Sequence, residues 1–218
     1  MAAIIPYDAT ALESLSQQLT PVVQRGRLVA VPTETFYGLG VDPFNADAVD
    51  RLCAVKGRPD GQPILVLLDS LENLWSFATH VPSAAAVLMD AFWPGALTIL
   101  FPARPSLPRA IMADTGRVGI RLSSCQPLRT VLERVGPLTG TSANRTGASP
   151  ARTAQEVDQT LGDEVDMIID AGPTPGGRPS TVVEADEVLR IVREGAITRS
   201  AIEAALRARG FSLKDAQM

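Results

Sequence analysis

Seven short apolar runs, separated by helix-like segments, constrain this chain more than any other feature. They cover residues 28–31, 64–68, 97–101, 118–122, 167–169, 181–183 and 188–192. Several are almost wholly apolar rather than alternating, which predicts strands covered on both faces. Helix patterns lie between and beside them, at residues 9–18, 46–56, 83–92, 128–135, 154–161 and 200–208. Asn45 is placed to cap the second and Gly57 to stop it. Thr153-Ala-Gln-Glu156 forms a capping-box pattern ahead of the fifth. The order of elements predicts an α/β fold, a twisted, mixed sheet with helices on its faces.

A covered sheet makes one residue conspicuous. Arg121 lies inside the run "VGIRLS", where Ile120 and Leu122 point to the opposite face. A buried guanidinium needs an anionic partner. A protein carboxylate, a substrate carboxylate or a phosphate would each serve, because guanidinium binds them in a bidentate way.

Other basic residues fall in loops rich in Gly, Pro, Ser and Thr. Lys56 and Arg58 follow the second helix beside Gly57 and Pro59. Arg117 begins the strand that holds Arg121. Arg152 follows "TSANRTG", Arg178 lies in the Pro/Gly-dense segment 170–181, and Arg193 ends the last strand run. The hydroxyls, amide and backbone N–H groups of residues 139–147 suit an anion nest, as does Arg152 at a helix N-terminus. Glu34 fits either a magnesium contact or a plain surface carboxylate.

Several chemistries are disfavoured. The formal charge of −4 gives no general basic footprint for nucleic acid, and 5% aromatic residues leave few platforms for base stacking. The only histidine, His80, has no nucleophile elbow to serve. Tyr37-Gly-Leu-Gly40 is too short for a dinucleotide fingerprint, and "GPTPGGRPS" lacks the Gly-Lys-Ser/Thr of a P-loop. Cys53 and Cys125 are far apart in sequence, read as small buried hydrophobes, and fit a reducing, cytoplasmic setting. The N-terminal "MAAIIPYDATALESL" has neither a basic leader region nor an apolar run long enough for a signal or a membrane anchor.

The segments "VPTETFYGLGVDP", "KGRP", "FWPGALTIL", "VGIRLS", "TSANRTG", "PSTVVE" and "VREGAIT" occur in an order and spacing that resemble the YrdC/Sua5 family, over residues 9–198. The resemblance implies a sheet folded around a deep basic cavity. It also implies L-threonylcarbamoyladenylate synthesis from L-threonine, bicarbonate or CO2, and ATP with Mg2+, releasing pyrophosphate. A separate threonylcarbamoyl transferase complex would pass the group to adenosine 37 of tRNA, so the resemblance implies indirect or weak contact with tRNA. The implied amino-acid contacts are Thr35, Arg121, Ser142 and Ser180, with Leu67 where some members carry histidine. The implied nucleotide contacts are Lys56, Arg58, Gln62, Arg117, Asn144, Arg152 and Arg193, of which Lys56 and Arg58 would act on the reacting phosphates. "RLSSCQP" replaces a common Arg-x-Pro-x-His-Pro. Some twenty residues follow Thr198, which resembles the short YrdC-type form: one domain over residues 1–218, a tail from about 209, and no separate Sua5 domain. A nucleic-acid-binding module and a YciO-like or carbamoyl-transfer paralogue are the competing readings. Lys56-Gly-Arg58 and Ser142-Ala-Asn144 favour the synthase.

Overall fold

The computed structural model describes residues 2–57, 61–185 and 189–213. In chain order its elements are β1 (Ala3–Pro6), α1 (Leu12–Gln24), β2 (Val29–Val31), β3 (Gly38–Gly40), α2 (Ala46–Lys56), β4 (Leu65–Leu68), a 3-10 turn (Glu72–Ser76), α3 (Ser83–Phe92), β5 (Leu97–Pro102), α4 (Arg109–Met112), β6 (Arg117–Leu122), α5 (Gln126–Val135), β7 (Leu138–Thr139), β8 (Thr141–Ser142), α6 (Ala154–Leu161), β9 (Met167–Asp170), β10 (Thr181–Glu184), β11 (Arg190–Arg193) and α7 (Arg199–Arg207).

The mixed α/β class is as expected, but the strands divide between two sheets rather than one. The first has the order β1-β9-β2-β3-β8, and the second β11-β10-β5-β6-β4-β7. Both mix parallel and antiparallel neighbours. The apolar runs are covered on both sides. On β2, Ala30 belongs to the main core, while Val29 and Val31 face a second core under α1 and α5.

Local chemistry sets the helix ends. Asn45 accepts from the Ala48 N–H at 3.1 Å, and Gly57 ends α2 at φ 57°, where a Cβ would be strained. α1 departs from expectation by running on to Gln24, past Pro21. Its buried residues Leu15, Leu19 and Val23 recur every four positions. That stripe holds the helix together through a proline that removes one N–H. Strand β3 was not expected, because two of its three residues are glycine and glycine is poor in strands. The run at 188–192 appears as β11 over 190–193, and Val188 lies outside the described residues.

Candidate functional site: a polar cavity between the two sheets

Glycines open a space between the sheets. In the second sheet Gly119 lies directly between Leu100 on β5 and Leu65 on β4. Its bare backbone lines the cavity, and a Cβ there would press on Leu100 Cδ2 at 3.3 Å. In the first sheet Gly38 pairs with Val31 and Ser142, and also has no side chain. The resulting cavity has a volume of ≈ 330 Å³, within the range of small-molecule sites.

Its walls are polar. At one end Thr33 folds the Pro-Thr-Glu-Thr turn on itself. Its hydroxyl accepts from the N–H of Thr35 (3.0 Å) and of Phe36 (3.2 Å) and lies 3.0 Å from the Thr35 hydroxyl. Thr33 and Thr35 line the cavity, and Tyr37 follows. The Tyr37 hydroxyl donates to the Gly172 carbonyl at 2.9 Å. Burial, and then the negative charge of Asp170, push its pKa up to about 12. Gly176 N–H donates to the Thr35 carbonyl, and Thr174 N–H to that of Arg152, both at 2.8 Å. The Pro/Gly segment 170–181 is therefore pinned to the turn.

Lys56 arrives from the last turn of α2 and is 4% exposed. Its Nζ donates to the carbonyls of Ser142 (2.6 Å) and Asn144 (2.9 Å) and to Asn144 Oδ1 (3.3 Å). The Thr146 N–H returns a bond to the Lys56 carbonyl at 2.8 Å. Asn144 Nδ2 ties off the carbonyls of Arg145 and Ala148. This ties the Ser-Ala-Asn turn to the end of α2, with Ser142 exposed toward the cavity.

The opposite wall carries Thr98, Arg121 and Ser180. Arg121 is 3% exposed. Of the partners open to it from sequence, the structure supplies a protein carboxylate. Glu34 Oε1 lies 3.3 Å from Nε, and Glu34 Oε2 accepts from Nη2 at 3.3 Å. The Ser123 hydroxyl donates to the same Oε2. Burial works against the charged form of Arg121, and Glu34 opposes that. Thr98 and Ser180 hydroxyls are 3.0 Å apart, and Arg193 Nη2 donates to the Ser180 carbonyl at 2.9 Å. Arg193 is exposed as a residue, yet its guanidinium end lies in the site. Its proton affinity is lowered, first by burial and then by the positive Arg121.

Eight of the residues singled out from sequence thus share one cavity: Thr35, Lys56, Gln62, Arg121, Ser142, Asn144, Ser180 and Arg193. Arg58 lies outside the described residues. Three others are placed off the cavity wall. Leu67 is fully buried in the second core, under Gly140, whose Cβ would fall 2.5 Å from Leu67 Cγ. Arg117 Nε faces Glu184 at 3.5 Å. Arg152 donates to the Pro175 carbonyl at 3.2 Å. The N-terminus of α6 beside it is closed by its own caps: Thr153 accepts from Glu156 N–H at 3.1 Å, and Glu156 from Arg152 N–H at 2.6 Å. Cys53 and Cys125 are half-buried rather than fully inside, and neither is in a disulfide. Among the described residues no group of three or more His, Cys, Asp or Glu is arranged to hold a metal ion. No described helix is long and apolar enough to cross a membrane.

Sequence reasoning missed Thr33, Thr98 and the cavity glycines. Thr33 had a signal, because a threonine two residues ahead of another in a turn is a common backbone cap. Gly119 had one too, as a glycine inside an apolar strand run marks a close approach or a hollow.

Comparison with known proteins shows what the chain as a whole resembles. The chain is 36% identical over 193 residues to the threonylcarbamoyl-AMP synthase of Bacillus subtilis, covering 87% of this chain and 56% of that protein. With the threonylcarbamoyl-AMP synthase of Pseudomonas entomophila it shares 35% identity over 178 residues, 80% of this chain and 95% of that one. It superposes on Pyrococcus abyssi Sua5 complexed with L-threonine with a TM-score of 0.88 at 28% identity, over 98% of this chain and 62% of that one. On Escherichia coli YciO the TM-score is 0.80 at 27% identity, over 90% and 96%. The chain therefore spans little more than half of the Bacillus relative and just under two thirds of the Pyrococcus chain. The family model Sua5_yciO_yrdC, described as "Telomere recombination", matches residues 21–195, and the chain belongs to that family.

Proposed function

We propose that this protein is an L-threonylcarbamoyladenylate synthase, consuming L-threonine, bicarbonate or CO2, and ATP, and releasing pyrophosphate. The observation that carries this reading is the meeting of Lys56, Arg121 and Arg193 with the hydroxyls of Thr35, Ser142 and Ser180 around one ≈ 330 Å³ cavity. Such a site binds an amino acid and a polyphosphate together, and its catalysis is positioning plus charge stabilisation.

In this reading Arg121 takes the threonine carboxylate, while Thr35, Ser142 and Ser180 orient the rest of the amino acid. Leu67 supports that end from beneath. Threonine's amine attacks carbon dioxide and loses a proton, giving N-carboxythreonine. The new carboxylate attacks the α-phosphorus of ATP, and the α–β phosphoanhydride bond breaks as pyrophosphate leaves. Lys56, Arg58, Gln62, Asn144 and Arg193 hold the nucleotide, with Arg117 and Arg152 nearer its periphery. Lys56 and Arg58 stabilise the charge that develops on the phosphates. No enzyme nucleophile is required.

Mg2+ would enter on the phosphates, since that ion keeps several waters and takes one or two protein carboxylates at most. The described residues fit that mode better than a protein cage. It would neutralise charge on the departing pyrophosphate. The product would pass to a cytoplasmic threonylcarbamoyl transferase acting on adenosine 37 of tRNA.

The test is pyrophosphate release by the protein with ATP, Mg2+, bicarbonate and L-threonine. Release that is absent, or indifferent to threonine, overturns the reading and favours a YciO-like paralogue.

A further inference from the structure

Glu34 lies between two cavity-lining threonines yet does not itself line the cavity. The turn made by Thr33 points the carboxylate to the flank of Arg121 instead. There it meets one edge of the guanidinium, the edge that carries Nε and Nη2. Glu34 Oε1 and Arg121 Nε face each other at 3.3 Å with no hydrogen bond formed, and both are buried. Behind them Ser123 is fully buried. Its hydroxyl donates to Glu34 Oε2 and accepts from the Cys125 N–H at 3.1 Å. The remaining nitrogen of Arg121, Nη1, makes no hydrogen bond with any described residue, and Arg121 lines the cavity.

A buried ion pair is a poor source of stability, because desolvation offsets the attraction. It is a good source of geometry, because a carboxylate gripping one guanidinium edge fixes the plane of the other. We propose that Glu34 is the positioning residue of the carboxylate subsite: it holds Arg121 from behind by the Nε–Nη2 edge, Ser123 holds Glu34, and the Nη1 end is thereby presented to the carboxylate of an amino-acid substrate. The inference rests on the proposed function for the identity of that amino acid, but its own content is carboxylate recognition. It also accounts for the polar "LSSC" stretch that follows the strand. Ser123 is the support of a support, two steps from the ligand.

Calorimetric titration of L-threonine into the wild type and into Glu34→Gln tests it. Glutamine keeps the shape and loses the charge that orients Arg121. The expected outcome is a dissociation constant for threonine raised by about tenfold or more, with ATP, titrated alone, bound within about twofold of the wild type. Glu34→Asp, which restores the carboxylate on a shorter stem, should recover part of the loss. Ser123→Ala, which leaves both charges in place, should weaken threonine several-fold, and it serves as the reading if Glu34→Gln does not fold. Equal threonine affinity in wild type and variants overturns the inference. So does a matched loss of threonine and ATP binding, which would mean general damage. Wild-type protein that binds no amino acid overturns both this inference and the proposed function. Wild-type protein that binds threonine without threonine-dependent pyrophosphate release overturns the function alone, and the variant ratio still decides the role of Glu34.

Discussion

Two cations of this site are equally buried and held in opposite ways. Lys56, 4% exposed, comes off the end of a helix and donates to main-chain carbonyls and an amide oxygen. Arg121, 3% exposed, sits inside a sheet and faces a carboxylate. The helix end makes the first solution possible. It delivers a lysine on a long stem to a turn whose carbonyls have no ladder partner, and the ammonium's donors meet two carbonyls and the Asn144 amide oxygen, with Ser142 Oγ at 3.5 Å. Mid-sheet, backbone carbonyls are already spent on neighbouring strands, so a guanidinium must find a side chain. The two corners should therefore fail differently. Among the described residues, removing Lys56 strands a neutral acceptor, whereas removing Arg121 strands a charge.

The largest effect expected is that of Arg121→Ala. It leaves the half-buried Glu34, whose Oε1 is buried, with only Ser123 as a described hydrogen-bond donor, a situation that costs up to about 3–5 kcal/mol, less what solvent relieves at its exposed part. Urea unfolding should show a lower midpoint with an unchanged slope. The double variant Glu34→Leu/Arg121→Met should regain most of that loss, since an apolar pair of similar size replaces a buried ion pair at little cost. It should remain unable to use threonine. If the double variant is no more stable than Arg121→Ala, the penalty comes from packing and the contrast between the corners collapses.

Lys56→Met comes next. It retains the apolar stem and leaves the carbonyls of Ser142 and Asn144 without the ammonium. The Ser142 carbonyl keeps the Asn144 N–H at 2.9 Å, so the Asn144 carbonyl is the one left stranded among the described residues, at about 1–3 kcal/mol, relieved where water enters from the cavity. The protein should stay folded by circular dichroism, while pyrophosphate release falls by about 10²–10³, as for loss of one charge-stabilising donor. A stability loss equal to that of Arg121→Ala would erase the distinction between neutral and charged partners.

Sequence legibility divides along the same line. The helix ends marked by a capping residue were readable, because that chemistry is local. Asn45, Gly57 and Thr153 all act as their positions predict. The burial of Arg121 was readable from its apolar neighbours, and its side of the strand is as expected, with Ile120 and Leu122 in the core. Its partner was not, because Glu34 lies 87 residues away on a turn whose geometry depends on a threonine hydroxyl. The split into two sheets was hidden for a similar reason. It depends on β3, two-thirds glycine, and on β7 and β8, each two residues long, none of which can carry a period. At the N-terminus of α6 the capping box occupies the backbone N–H groups that the sequence offered to a phosphate, which leaves the guanidinium of Arg152 as the group proposed to meet the nucleotide there.

Tyr37 supplies the neutral end of the scale. It is fully buried, and its hydroxyl donates to a neutral carbonyl, that of Gly172. Tyr37→Phe removes that one bond and strands one acceptor, so it should cost about 1 kcal/mol, the smallest loss of the three. It carries a signature that neither cation shares. The tyrosine's pKa is raised from 10.0 to about 12 in the folded protein, chiefly by burial. A raised folded-state pKa means that the unfolded chain gives up its proton first. The contribution of Tyr37 is therefore intact below pH 10 and declines as pH rises toward 12. Unfolding of the wild type across pH 9 to 12 should show that decline, and Tyr37→Phe should lack this component. Parallel curves would mean that the phenol is not shielded as its burial implies. The ordering of charged, half-charged and neutral pairs would then have to be rebuilt on packing alone.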